Sequence, residues 1–180
     1  DRLLNVAPLF HILGLAIVMT QLHCGGTVMI TQGFHPKTFL SWLDEFRPTW
    51  FSSSSPMNHA FLRLGKEHRD FFRSLPLRFI RTMGETPEYE VLVALEQATG
   101  APVLTGYGLT EAQGASRTTL SARKPKSAGR STGMDLAIMN PSGEILRPDE
   151  EGEIVLRGPS VTSGYLDNPE ANAATFRDGW

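Results

Sequence analysis

The chain has 180 residues, 41% of them apolar, and 17 basic against 19 acidic side chains, so it can bury a core of its own while carrying a formal charge of only −2. That balance gives no global field that would select nucleic acid or an anionic membrane, and any partner must be read from local chemistry. A single cysteine, Cys24, and no Asn-x-Ser/Thr acceptor leave nothing that requires an oxidising compartment, so cytoplasmic is the default expectation.

Leu3 to Ala7 reads as a strand, and Ile12 to His23 as a helix ended by Gly25 and Gly26. The most apolar stretch, Val6 to Met19, is broken by Pro8, His11 and Gly14 and is too short to span a membrane, so it reads as core. Thr27 to Thr31 is the next strand. A helix from Pro36 then puts Phe39, Leu40, Leu43 and Phe46 on one face before Arg47 and Pro48 stop it. Thr49 to Ser53 is a third strand, Pro56 begins a helix through Phe61 and Leu64, and the polar stretch Gly65 to Arg73 leads to a strand from Leu77 to Thr82. Helix Pro87 to Thr99 has Thr86 as its cap, Glu88 and Glu90 at its positive end, and Gly100 as its stop. Pro102 to Thr105 is a further strand.

After Glu111 polar and basic residues dominate through Arg130, which reads as a connecting loop. Met134 to Met139 and Glu153 to Arg157 look like antiparallel strands, with a turn at Asn140 to Gly143, and Asn168 to Phe176 is a short helix. The whole predicts an α/β fold, a largely parallel sheet flanked by helices over residues 1–127, followed by a small β-rich, distorted barrel-like part over 128–180.

The sharpest local feature is Thr105-Gly106-Tyr107-Gly108-Leu109-Thr110-Glu111, where a strand leaves the sheet. Ligands of open α/β sheets settle at the carboxyl ends of strands. The two glycines permit close approach, Tyr107 offers a flat face to a purine, Thr110 a hydroxyl to a phosphate, and Glu111 a hard oxygen to magnesium. As composition alone, the same residues also describe a turn with a core Tyr and a solvated Glu.

The string YGLTEA, with PLFHILGL near the start and GEIVLRGPSVTSGYLDNPEANAATFRDGW about forty residues on, resembles three ordered signatures of the adenylate-forming, AMP-binding superfamily. That superfamily comprises acyl-CoA and aryl-CoA ligases, luciferases and the adenylation domains of peptide synthetases. The resemblance implies a two-step reaction. A carboxylate attacks the α-phosphate of ATP to give an acyl-adenylate and pyrophosphate, and a thiol, usually that of coenzyme A, then displaces AMP. By position it implies that Tyr107 stacks on adenine, that Thr105, Gly106 and Gly108 line the adenylate, that Thr110 contacts phosphate, and that Glu111 holds Mg2+. Gly84-Glu85-Thr86-Pro87 falls where relatives keep a small-residue segment along adenine and ribose, and His11 matches the family's histidine near the carboxylate and thiol entry.

The resemblance also implies what the chain does not contain: a Ser/Thr/Gly-rich phosphate loop upstream, a Thr-Gly-Asp segment downstream, and a carboxyl-terminal domain with a catalytic Lys. The expectation is therefore an internal piece of an AMP-forming acyl-CoA synthetase, inactive alone. The alternative is a non-catalytic nucleotide-binding or interaction module on the same fold. Partners are a small carboxylic acid, ATP and coenzyme A, with no nucleic acid and no membrane span. Leu9, Phe10, Met57, Met83 and Leu104 suggest an apolar acid pocket. Arg117, Arg123, Lys124, Lys126 and Arg130 can attract phosphates, though a solvated loop explains them as well. His23, His35, His59 and His68 show no ligand spacing with Cys24. Gly129-Arg130-Ser131-Thr132-Gly133 fits the Gly-x-Ser-x-Gly pattern of serine hydrolases, but no histidine follows His68 to serve as base.

Overall fold

Short apolar strands, each followed by an amphipathic helix, set the architecture. In the computed structural model, which describes residues 1–84 and 88–180, the order is β1 (Arg2–Asn5), α1 (Ile12–His23), β2 (Thr27–Ile30), α2 (Pro36–Phe46), β3 (Trp50–Ser53), α3 (Ser55–Glu67), α4 (Arg69–Ser74), β4 (Phe79–Thr82), α5 (Tyr89–Thr99) and β5 (Val103–Tyr107). The five strands pair in parallel in the order 2-1-3-4-5.

That order dictates where the helices lie. The crossover through α1 runs from β1 to β2 in one direction, and the crossover through α2 returns past β1 to β3. Right-handed connections therefore place α1 and α2 on opposite faces. The strand residues alternate to match. Leu3 and Trp50 pack with Ile17 and Val18 of α1, with Phe79 against them. Leu4, Phe51, Ile80 and Val103 pack with Phe39, Phe61, Phe72 and Leu95 from α2, α3, α4 and α5. Phe34, Phe39, Phe51 and Phe61 form the centre of that larger core, with ring centroids 4.7 to 5.4 Å apart.

The helix stops are those the sequence offers. Cys24 donates its N–H to the Thr20 carbonyl before Gly25 turns left-handed, Arg47 takes a left-handed φ of 45° ahead of Pro48, and Gly100 closes α5 at φ 76°. The predicted cap Thr86, with Pro87, lies outside the described residues, and α5 begins at Tyr89.

Two elements differ from the sequence reading. The polar stretch Gly65 to Arg73 is mostly helical, completing α3 and forming α4. The supposed loop after Glu111 contains β6 (Ser116–Arg117) and β7 (Arg130–Ser131), which extend the main sheet by two antiparallel strands. Beyond them β8 (Asp135–Met139) and β9 (Glu153–Arg157) make a separate two-stranded antiparallel sheet, and α6 (Pro169–Thr175) is capped by Asn168, which accepts from the Ala171 N–H. Among the described residues no helix is long and apolar enough to cross a membrane.

Candidate functional site

Because β1, β4 and β5 run in parallel, the segments that leave them emerge at one edge of the sheet, the edge where ligands of such sheets bind. β1 leads to Pro8–His11, β4 to Met83 and Gly84, and β5 to Gly108–Glu111. Three of the motifs singled out in the sequence are thereby brought to the same edge. Glu85 and Thr86 of the second motif lie outside the described residues, and Gly84 is exposed with a left-handed φ of 99°.

The β5 loop is built without room for side chains. A Cβ at Gly108 would lie 2.7 Å from the Gly114 amide nitrogen, and one at Gly106 would lie 3.0 Å from the Ser116 carbonyl oxygen. Leu109 and Ala112 exchange N–H to carbonyl bonds at 3.2 and 3.3 Å, closing a tight turn that presents Thr110 to solvent. Thr105 is tied on both sides. Its N–H donates to Thr118 Oγ1 at 2.8 Å and its hydroxyl to the Ser127 carbonyl at 2.8 Å. Tyr107 is half-buried, and burial raises its phenol pKa, so the ring stays neutral.

Glu111 is held from a distance in sequence. The Tyr165 hydroxyl donates to Glu111 Oε1 at 2.6 Å, and the Thr162 N–H donates to the Glu111 carbonyl at 2.7 Å. The Tyr165 bond first, and the glutamate's own backbone second, lower the carboxyl pKa, so the group stays ionised. Tyr165 is fixed in turn by Asn172, whose amide takes the Tyr165 N–H at 2.6 Å and donates to its carbonyl at 2.9 Å. Among the described residues no cluster of three or more His, Cys, Asp or Glu could hold a metal by itself. One ionised carboxylate beside a hydroxyl fits Mg2+, which is commonly held by one or two carboxylates together with substrate phosphates.

A cavity of about 760 Å³ lies between β5, α5 and the segment 123–128. Gly84, Thr105, Gly106 and Tyr107 line it, whereas His11, Gly108, Thr110 and Glu111 do not. Sequence reasoning missed its far wall, Tyr89, Leu92, Val93 and Glu96 of α5 with Thr118. Their spacing along the helix is a visible stripe, but it reads equally as core. Of the five residues proposed for an apolar pocket, Met83 alone lines this cavity. Leu104 is buried, Met57 packs on the main core, and Leu9 and Phe10 are exposed, Phe10 by 94%.

The basic stretch is partly committed to structure. Arg123 pairs with Glu96, and Lys126 lies 5.7 Å from the Tyr89 ring centroid, while Lys124 stands at the cavity wall. Ser131 is on the short strand β7 and donates its hydroxyl to the Met134 carbonyl, far from a nucleophile's turn. His11 caps α1, its Nδ1 accepting the Leu13 N–H at 3.2 Å. That assigns the neutral ring's proton to Nε2, facing away from the helix. His11→Ala is expected to cost about 0.5–2 kcal/mol by the loss of this cap, and His11→Asn much less, read from urea unfolding midpoints.

Residues 1–166 match the family described as AMP-binding enzyme. An oxalate–CoA ligase of Arabidopsis thaliana is 36% identical over all of this chain and 36% of its own length. A long-chain-fatty-acid–CoA ligase of Bacillus subtilis is 31% identical over all of this chain and 33% of its own length. The chain thus spans about a third of these relatives. The structure of o-succinylbenzoate CoA synthetase from Bacillus subtilis in complex with ATP and magnesium ion superposes on the whole chain and 37% of its own, with a TM-score of 0.82 and 29% identity.

Proposed function

The chain belongs to the family of AMP-binding enzymes, and from that premise we propose that it supplies the nucleotide and acid contacts of a longer, ATP-dependent, AMP-forming carboxylic acid–CoA ligase. The observation that carries this reading is the meeting, at one sheet edge, of the segments that leave β1, β4 and β5, with the Tyr107 face opening on a cavity of adenine-accommodating size. We divide the chain into an α/β part, residues 1–127, and a β-rich part, residues 128–180.

In this reading Tyr107 stacks on the purine, with Gly84, Glu85, Thr86 and Thr105 along its edge. Gly106 and Gly108 let the backbone approach the reacting acyl phosphate, because a Cβ at either position would fill the space. Thr110 donates its hydroxyl to a phosphate oxygen. Glu111 holds Mg2+, and this ion when bound offsets charge on the polyphosphate and eases the departure of pyrophosphate. His11 stands by the acid's carboxylate and the entry of the coenzyme A thiol. The carboxylate oxygen bonds to the α-phosphorus and pyrophosphate leaves. The thiol sulfur then bonds to the acyl carbon, its proton is lost, and AMP departs.

The named acids of the relatives differ in both length and charge, so they do not select a substrate. The test is pyrophosphate release by the longer protein across a panel of carboxylic acids, with and without coenzyme A. Release that requires an acid, with AMP and a thioester as products, is the expected result. Formation of ADP, or turnover indifferent to any acid, would refute it.

A further inference from the structure

Three arginines rise from one face of the sheet on neighbouring strands. Arg81 on β4 pairs with Leu104 on β5, and two residues further along β5 Gly106 pairs with Arg117 on β6, which pairs with Arg130 on β7. Side chains two apart on a strand share a face, so Arg81, Arg117 and Arg130 share one, and it is the face on which Phe79 packs toward α1. Like charges on adjacent strands repel. Yet the ion pairs among the described residues are Arg78–Asp1, Arg123–Glu96 and Arg157–Asp135, and none involves these three.

Arg81 is the most exacting of them. It is half-buried, with its guanidinium carbon 5.8 Å from the Phe79 ring centroid. Burial first, and the Arg117 charge second, draw its pKa down to about 10. Beside it in register is Ser52, 1% exposed, whose hydroxyl has no hydrogen-bond partner. Gly106 pairs with Arg117 and lies two residues along β5 from Leu104, the partner of Arg81, and it adds no side chain between them. A Cβ there would lie 3.0 Å from the Ser116 carbonyl oxygen, 3.5 Å from the tip of Met83 and 3.6 Å from the Arg117 Cβ. A desolvated guanidinium with no counter-charge among the described residues, next to an orphaned hydroxyl, is a costly arrangement unless an anion completes it.

We infer that Arg81 and Arg117 form an anion subsite for a second carboxylate on the acid substrate, so that the acid activated here is a dicarboxylic one; this rests on the proposed ligase reading. The strand itself separates this anion from the nucleotide. Thr105 and Tyr107 project toward α5 and the cavity, whereas Arg81, Leu104 and Arg117 lie in register on the opposite face, and Gly106, which carries no side chain, borders both. A carboxylate fits because its two oxygens match the planar fork of a guanidinium, and Ser52 can add a hydroxyl donor. A fatty chain in the same place would instead bury the guanidinium without a partner.

The test measures pyrophosphate release by the longer protein with matched acids: succinic against butyric, and glutaric against pentanoic. In the wild type the dicarboxylic member of each pair is expected to have the higher kcat/KM by roughly a hundredfold. Arg81→Met should erase that preference, mainly through KM, and raise the use of the monocarboxylic acids. Arg117→Gln should shift the preference in the same direction, which covers the case in which Arg81→Met does not fold. Equal use of matched acids by the wild type overturns the inference and leaves the ligase reading intact. So does an Arg81→Met variant that loses thermal stability and both activities alike, because its counter-charge is then a side chain elsewhere in the longer protein. Absence of pyrophosphate release with every acid removes the ligase reading and this inference together.

Discussion

Replacing Glu111 by Gln in the longer protein is expected to slow acyl-adenylate formation by about a hundredfold or more, the scale seen when one electrostatic contact to the transition state is lost. The substitution keeps the side chain's length and leaves an amide oxygen to accept the Tyr165 hydroxyl now found 2.6 Å from Oε1. It removes the charge, and the charge is what the surroundings maintain, since the Tyr165 hydrogen bond and the backbone both favour the ionised form. Thiol transfer from a supplied acyl-adenylate should suffer far less, because pyrophosphate has left by then. A second readout is independent of turnover: Mn2+ affinity in the presence of ATP, followed by electron paramagnetic resonance, should weaken in the variant. Equal slowing of both half-reactions, or unchanged ion affinity, would remove Glu111 from its metal role while leaving the family membership untouched.

The alternation of strand and helix was legible because each parallel strand is a short apolar run and each helix carries its own stop. The stretch Gly65 to Arg73 was not, and Gly65 shows why. A glycine amid polar residues reads as a breaker, but here its missing side chain lets α3 approach α5, since a Cβ there would lie only 3.1 Å from the Ala98 methyl. Phe72, the one fully buried side chain of α4, anchors the turn together with the partly buried Phe71, while its other side chains are polar. Strands β6 and β7 have two residues each, too few to carry a period of two.

The loops of the candidate site could be picked out because glycine, threonine and glutamate at a strand end have a chemical reason to be together. Arg81 could not, since a charged residue between Ile80 and Thr82 reads as the solvent side of an alternating strand. The sheet's far face, and the lack of a counter-charge among the described residues, become visible only when β4, β5 and β6 are set side by side. They also change the expectation for the acid: the wall thought apolar from Met83 and Leu104 contains Arg81, two residues before Met83 and in register with Leu104.

Tyr165 is the residue that no local pattern could assign, being 54 positions from Glu111. Its replacement by Phe is expected to weaken ion affinity, and so raise the Mg2+ concentration that the adenylation step requires, by about 10- to 100-fold, the range typical of residues that orient a metal-binding group without touching the metal. Asn172 bonds both the N–H and the carbonyl of Tyr165, and the Phe176 ring packs edge-on at 5.8 Å, so a Phe at 165 keeps its backbone and ring in place. The segment also stays docked, because Ala112 bridges to Val161 and the Thr162 N–H still bonds the Glu111 carbonyl. What disappears is the hydroxyl, and with it the hydrogen bond that fixes one carboxylate oxygen. The carboxylate then samples other rotamers, and the charge it presents to the ion is less well placed. The activity of Tyr165→Phe should accordingly recover as Mg2+ is raised, whereas that of Glu111→Gln should not, and Mn2+ titration should show weaker binding for Tyr165→Phe without loss of thermal stability. A variant whose defect is insensitive to Mg2+ would mean that Tyr165 serves the packing of the segment and not the orientation of Glu111.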